Sequence, residues 1–357
     1  MQVEKFDFAI YGSGIDAAFL AAELIQRHHA RVLLVRDHVN DYTLQHHHDF
    51  SVGGNCDPDT IRMAHSGLNQ WHNQFTGRAG RECFDRGPIS LKVSSSQNAD
   101  MLHYIEGALI ASDRQSERKA VREGVEYLQI RDVIAPKRRE SLEFLHHAYV
   151  GVGLEVFDRS VFFEARRTKD GALILKTDRE KFSASQTIVL DDDLIDAHSN
   201  SALRKVLHPI KGSKAALTPI ARFTKPPALF VDSQICIRAH ANNILISAPL
   251  SYEDLVHQGK KEIIDLEQLR IHAQGAFASV STVDGAPVLE LEKGKNTWLF
   301  SGGAVRTFLM PSVSDIIAGK PDHAAEQYWS NRGASGRRYG DICTPQIVGP
   351  GDKNAVV

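Results

Sequence analysis

The start of the chain constrains its fold more than any other stretch. Phe6-Asp-Phe-Ala-Ile-Tyr11 is strand-like, Gly12-Ser13-Gly14-Ile15-Asp16-Ala17 is a glycine turn, Ala18 to His29 has an apolar helical face, and Val32-Leu-Leu-Val35 is a short apolar run. This order predicts a strand, a tight turn, a helix and a second, parallel strand, the βαβ unit that cradles a dinucleotide. Gly12 permits a tight exit from the strand. Gly14 lets backbone N–H groups around Ser13 and Ile15 approach a pyrophosphate, and Ala17 still allows close helix–strand contact. The diphosphate would rest on the positive end of the helix. The same pattern also suits an ordinary βα turn in a nucleotide-free α/β protein.

Two residues complicate the site. The second strand ends in Val35-Arg36-Asp37, where an acidic residue usually receives the ribose hydroxyls. Arg36 suits a 2′-phosphate, Asp37 reaches a ribose after a small shift of the turn, and a solvated strand end is a third reading of Arg36. Asp16 puts a negative charge near the expected pyrophosphate. Two like charges about 4 Å apart repel by roughly 1 kcal/mol in water and by more where water is excluded.

A chain of 357 residues can bury a substantial core in one large or two ordinary domains. Its formal net charge of −2 offers no basic field for nucleic acid. Cys56, Cys83, Cys236 and Cys343 are widely separated and form no CxxC pair, so no zinc or iron–sulfur site is expected. They read as reduced thiols of a cytoplasmic protein. The first strand follows the N-terminus directly, without a signal-peptide pattern, and no apolar run is long enough to span a bilayer.

Beyond the βαβ unit, Asp57-Pro58-Asp59 signals a helix running to Phe75, with Ile61, Ala64, Leu68 and Trp71 on one face. A strand is expected over 83–93, and helices over 100–111, 117–123 and 142–150. Short strands follow at 155–157, 160–168, 171–177 and 187–190, with Lys169-Asp-Gly171 as a hairpin turn. A β-rich stretch includes 214–223, 228–231, 235–238 and 244–248. A helix is expected over 252–273, a strand over 297–302, and helices at 311–318 and 322–330. The composition after Asn331 suggests a poorly ordered tail. The reading is an α/β protein with a Rossmann-like nucleotide-binding domain in separated segments (1–90, about 140–205 and 285–330). It would enclose an antiparallel, β-rich substrate domain (about 91–139 and 206–284).

Several stretches together resemble the FAD-dependent family that includes D-amino-acid oxidase, sarcosine oxidase and glycine oxidase. They are Gly53-Gly54 with Asp57-Pro-Asp-Thr-Ile-Arg62, Cys83-Phe-Asp-Arg-Gly-Pro-Ile-Ser-Leu91 and His208-Pro-Ile-Lys-Gly212, then Ser281-Thr-Val-Asp-Gly-Ala-Pro-Val288, and Trp298-Leu-Phe-Ser-Gly-Gly303 leading to Met310-Pro-Ser-Val-Ser-Asp-Ile-Ile317. The resemblance implies a flavoprotein with non-covalent FAD, held by Gly12, Ser13, Gly14, Ile15, Ala17, Arg36, Asp37, Gly53, Gly54, Val161, Gly303, Ala304, Arg306, Thr307 and Phe308. The chain departs from the family near the flavin. Asp191-Asp-Asp193 follows the strand at 187–190, where relatives carry small residues and a glycine, and Ala304-Val305-Arg306 replaces a glycine-rich turn. No cysteine lies beside Thr282 or along 298–310, which argues against a covalent flavin link.

The reaction implied by the resemblance is oxidation of a C–N bond in a small amino acid or secondary amine by hydride transfer to flavin. Arg306 is the candidate cation beside the flavin pyrimidine, and Arg238 the candidate partner for a substrate carboxylate. A solvated loop arginine and a surface strand arginine are their plainer readings. His48 is a candidate base, while His46-His47-His48 offers two like-facing histidines without a second shell and reads as loop rather than as metal ligands. Asp191–Asp193 also reads as a helix cap. Two alternatives stand beside the oxidase. One is a flavin-fold protein with a degenerate cofactor site that acts as a structural or regulatory subunit of a hetero- or homo-oligomer, and the other is a tailoring oxidoreductase using FAD and reduced nicotinamide.

Overall fold

A computed structural model describes residues 3–37, 49–53, 57–93, 95–120, 126–161, 163–198, 202–218, 226–240, 243–262, 270–282, 285–292, 294–330 and 332–333. The chain opens with β1 (Val3–Tyr11), α1 (Ile15–His28) and β2 (Val32–Arg36), then α2 (Pro58–Gln74), α3 (Gly77–Glu82) and β3 (Phe84–Lys92). Next come α4 (Ala99–Ala111), β4 (Ser116–Ala120), β5 (Glu126–Pro136), α5 (Arg138–Tyr149), β6 (Leu154–Asp158), β7 (Glu164–Arg167), β8 (Leu173–Lys176) and β9 (Lys181–Val189). Short helices α6 (Asp192–His198) and α7 (Leu203–Val206) lead to β10 (Leu207–Thr218), β11 (Ala228–Phe230), β12 (Ile235–His240) and β13 (Asn243–Ala248). The last elements are α8 (Tyr252–Glu262), β14 (Arg270–Thr282), β15 (Val288–Glu292), β16 (Thr297–Ser301), α9 (Arg306–Ile317) and α10 (His323–Ser330).

Two sheets carry the fold. The first runs β15-β16-β9-β1-β2-β6, with the β7–β8 hairpin attached to β9. Its central pairs β16–β9, β9–β1, β1–β2 and β2–β6 are all parallel. Every residue of β2 is buried, as expected of a parallel strand covered on both faces. The second sheet runs β14-β10-β13-β12-β11-β3-β5-β4 and is antiparallel except where β11 meets β3. The fold class expected from the sequence, a nucleotide-type α/β sheet beside an antiparallel one, is what forms.

Sequence explains most of these elements locally. Asp57 caps α2 by accepting the Asp59 amide at 3.2 Å, and Pro58 occupies the first turn. The apolar face of α2 then sets Trp71 against Phe19 of α1, with ring centroids 4.7 Å apart, and against Phe308 of α9 at 5.1 Å. Gly171, at φ +86°, turns the β7–β8 hairpin.

Two expectations fail. The segment around 117–120 is not helix but β4, whose Arg118 sits across from Leu128 of β5 and pairs with Glu106 and Glu126. Those partners lie on other elements, not one helical turn away, so cross-strand pairing overrides the local preference. Likewise the helix expected over 252–273 ends at Glu262, and Arg270 onward becomes β14, paired with β10 along its length. β3 joins the second sheet, although residues 84–90 lie within the first segment of the expected nucleotide domain. The expected tail lies outside the described residues apart from Arg332 and Gly333. Among the described residues no helix is long and apolar enough to cross a membrane.

Helices α2 and α9 approach so closely that a Cβ on Gly67 would stand 1.8 Å from the Phe308 carbonyl oxygen. Gly107 of α4 has nothing within 4 Å of that position. Alanine is preferred over glycine by about 1 kcal/mol in a helix interior, so packing decides the sign. Gly107→Ala is expected to stabilise by roughly 0.5–1 kcal/mol, whereas Gly67→Ala is expected to cost about 1–3 kcal/mol as the helices are forced apart. Urea unfolding of the two variants checks the contrast.

Candidate functional site

Three strand ends meet at the glycine turn. β1 lies between β2 and β9 and is parallel to both, which makes its carboxyl end the switch point where ligands bind in such sheets. The Gly12 amide donates to the Val35 carbonyl at 3.1 Å, and the Leu190 amide donates to the Tyr11 carbonyl at 2.9 Å. A Cβ on Gly12 would lie 2.5 Å from the Ala17 Cβ, so the lack of a side chain at Gly12 lets the start of α1 pack against the end of β1. Ile15 is buried at the start of α1, and Gly14 precedes it in extended conformation.

Carboxylates surround the rest of the turn. Asp191, directly after β9, accepts the Ser13 amide on Oδ1 at 2.9 Å and the Ser13 hydroxyl on Oδ2 at 3.5 Å. Arg159 reaches Asp191 at 3.4 Å and Asp193 at 3.3 Å. The Asp16 carboxylate lies alongside Gly14, where a Cβ would be 2.1 Å from Oδ1. Arg306, at the start of α9 and 5% exposed, pairs with Asp16 at 2.7 Å and Asp192 at 3.3 Å, and donates to the Leu190 carbonyl at 2.6 Å. Asp192 also accepts the Ser279 hydroxyl at 2.6 Å and the Val280 amide at 3.2 Å, which joins the network to β14. Arg138 of α5 donates to the Ser13 carbonyl at 2.7 Å.

Burial sets the protonation behaviour here. It is the largest single influence on Arg306 and works against the charge, yet Asp16, Asp192, Asp49 and Asp191 together hold the guanidinium above its ordinary pKa. Burial raises the Asp191 carboxyl; the Ser13 N–H opposes that rise, Asp193 and Asp16 add to it, and Arg159 lowers it. Burial also pushes the Tyr11 phenol up to about 12, against the opposing fields of Arg167 and Arg159.

The remaining sequence candidates fall in several places. Arg36 is buried at the end of β2, and the Asp37 amide donates to the Ser13 hydroxyl at 3.0 Å. Val161 is half-exposed just past β6, in a loop whose Arg159 amide donates to the Arg36 carbonyl. Gly53 is buried, whereas Gly54 and His46, His47 and His48 lie outside the described residues. Gly303 has φ +59°, and Ala304 follows it in a short helical turn. Thr307 and Phe308 are fully buried in α9, and Phe308 belongs to the core around Trp71. Among the described residues no cluster of three or more His, Cys, Asp or Glu is placed to hold a metal ion.

Arg238 is elsewhere, on β12 of the second sheet and 6% exposed. Its Nη2 donates to Asp85 at 3.0 Å, and Lys137 lies 3.4 Å from the other oxygen of Asp85. With Phe50, Gly87, Ile89, Val133 and Pro226, it lines a cavity of about 390 Å³. The sequence singled out Asp16, Arg306 and Arg238 but gave no role to Arg138 or Arg159. It read Asp191–Asp193 both as a helix cap and as a departure from the family near the flavin, without signalling the contact with Ser13. The available signal was position, three acids placed directly after a strand parallel to β1.

In this arrangement the turn does not fit a dinucleotide diphosphate. The Ser13 N–H already serves a carboxylate, and Asp16, Asp191 and Asp192 present negative charge where two phosphates would add more.

No protein-family model and no curated protein matches the sequence. Solved structures match its fold. Glycine oxidase from Geobacillus kaustophilus aligns with a TM-score of 0.68 at 16% identity, covering 90% of this chain and 96% of that one. L-Proline dehydrogenase from P. horikoshii aligns at 0.71 and 14% identity, covering 93% and 98%. Iminodiacetate oxidase from Chelativorans sp. BNC1 aligns at 0.65 and 15% identity, covering 92% and 99%. The chain therefore has the fold of the FAD-dependent amino-acid oxidases, as its sequence resemblance implied.

Arg306→Met would leave Asp16 and Asp192 buried without their shared cation. Breaking such a pair costs about 3–5 kcal/mol. Denaturant unfolding of the variant beside the wild type checks the loss.

Proposed function

We propose that this chain is an oxidoreductase for the C–N bond of a small amino acid or secondary amine, taking FAD non-covalently once its diphosphate seat is vacated. The observation that carries this reading is the shared fold over nine-tenths of the chain. Arg238 beside the cavity of the second sheet agrees with it. Its guanidinium has five N–H donors in a planar fork, and Asp85 fixes the fork from one side. A substrate carboxylate would be bound by the remaining donors. Phe50, Ile89 and Val133 provide apolar walls beside that position.

A second reading has its own support. If Asp191 and Asp16 occupy the turn permanently, the protein is a flavin-fold structural or regulatory subunit. Saturation with FAD followed by gel filtration separates the two. Protein that retains the visible flavin absorption, bleached anaerobically by an amine, supports the oxidoreductase; protein that stays colourless at every FAD concentration supports the subunit.

Arg238→Met should weaken binding of a carboxylate-bearing amine by about tenfold to a hundredfold, the value of one or two hydrogen bonds to a charged group. The same amine without its carboxylate should bind equally well to both proteins. Calorimetry with such a pair checks the difference whether or not flavin is held.

A further inference from the structure

The feature that disagrees most with a flavin site is also the most specifically built. We propose that Asp191 is an internal ligand of the glycine turn, standing where a phosphate would stand and competing with the FAD diphosphate for the Ser13 amide. This rests on the reading that the crevice takes FAD.

Four observations carry it. Carboxylate and phosphate oxygens are both anionic acceptors for a backbone N–H, and Asp191 Oδ1 accepts the Ser13 amide at 2.9 Å. Its other oxygen lies 3.5 Å from the Ser13 hydroxyl, so one side chain engages both donors of the residue between the glycines. Arg159 stands against Asp191 from outside the turn at 3.4 Å, and this cation would be transferred to an incoming phosphate when Asp191 leaves.

The fourth observation is the contrast with its neighbours. Asp16 is held by Arg306, and Asp192 by Arg306, Ser279 and Val280, all within the buried network. Asp191 takes no part in the Arg306 ion pairs, and its carboxylate contacts are those to Ser13 and Arg159. Its departure therefore leaves the Arg306 pairs intact. Asp16, Asp191, Asp192 and Asp193 all stand at this end of the first sheet, and removing Asp191 takes one negative charge away from the Ser13 amide, the position a diphosphate needs.

The test uses the full chain, wild type against Asp191→Ala and Asp191→Asn, titrated with FAD, ADP and riboflavin by calorimetry and flavin fluorescence. Asp191→Ala should bind FAD and ADP about tenfold more tightly or better, with Asp191→Asn between it and wild type, because a charge-assisted contact and a like charge are both removed. Riboflavin, which has no diphosphate, should not gain. Hydrogen exchange at the Ser13 amide should quicken in Asp191→Ala and slow again when FAD is added. Equal FAD affinity in wild type and both variants would overturn the role of Asp191 while leaving the flavin reading intact. Folded variants with unchanged melting behaviour that bind neither FAD nor ADP would overturn both. A gain that riboflavin shares would also overturn the proposal, since it would not arise at the diphosphate.

Discussion

The guanidinium of Arg306 is buried where α1, the β9–α6 junction and α9 meet, its terminal nitrogens set against Asp16, Asp192 and the Leu190 carbonyl while its Nε has no hydrogen-bond partner among the described residues. Removing an ion from water costs several kcal/mol even after relaxation, so a buried arginine is retained only with well-aligned counter-charges. Asp16 and Asp192 supply them, and Leu190 adds a carbonyl. The same pairs tie the first turn of α1 to the strand end opposite it, and Asp192 extends the tie to β14 of the second sheet through Ser279 and Val280. Ion pairs thus line the carboxyl end of β1 beside the glycine turn.

The two halves of the molecule have treated the shared architecture differently. In the second sheet Arg238 keeps a cavity beside it and is oriented from one side by Asp85, an arrangement suited to an external anion. At the glycine turn the donor and the anion are both internal, Ser13 and Asp191. A fold is compatible with many chemistries, and the difference between these two sites is a difference of side chains on one scaffold. Arg306, which the sequence suggested for the flavin pyrimidine, is committed to Asp16 and Asp192 instead.

Much of the fold was legible because its signals are local. The β1–α1–β2 unit is written in two glycines and a change of apolar period, α2 in a capped start and the spacing of Ile61, Ala64, Leu68 and Trp71, and the β7–β8 hairpin in Asp170-Gly171. The site was less legible. Asp16 and Asp191 are far apart in the chain; the resemblance sets both near the flavin, but nothing near either one says that Asp191 meets the Ser13 amide. Thr307 and Phe308 look like contacts following a terminal strand, yet they are core residues of α9 because Gly67 lets α2 close over them. The first residues of β14 form strand because their partner β10 lies outside any local window, and β4 does so by pairing with the neighbouring β5, a strand the sequence did not signal.

Sequence by itself determined which segments form the opening βαβ unit and the main helices, since hydrophobic period, caps and glycine positions act over a few residues. It also determined that acidic residues flank the turn. Only the tertiary structure decided that Asp191 turns inward to the Ser13 amide, that Arg306 is shared by Asp16 and Asp192, and that Arg238 borders a cavity. The reason is that electrostatic partnership depends on distance and burial, and both are set by how β1, β9 and α9 converge, long after local preference has been spent.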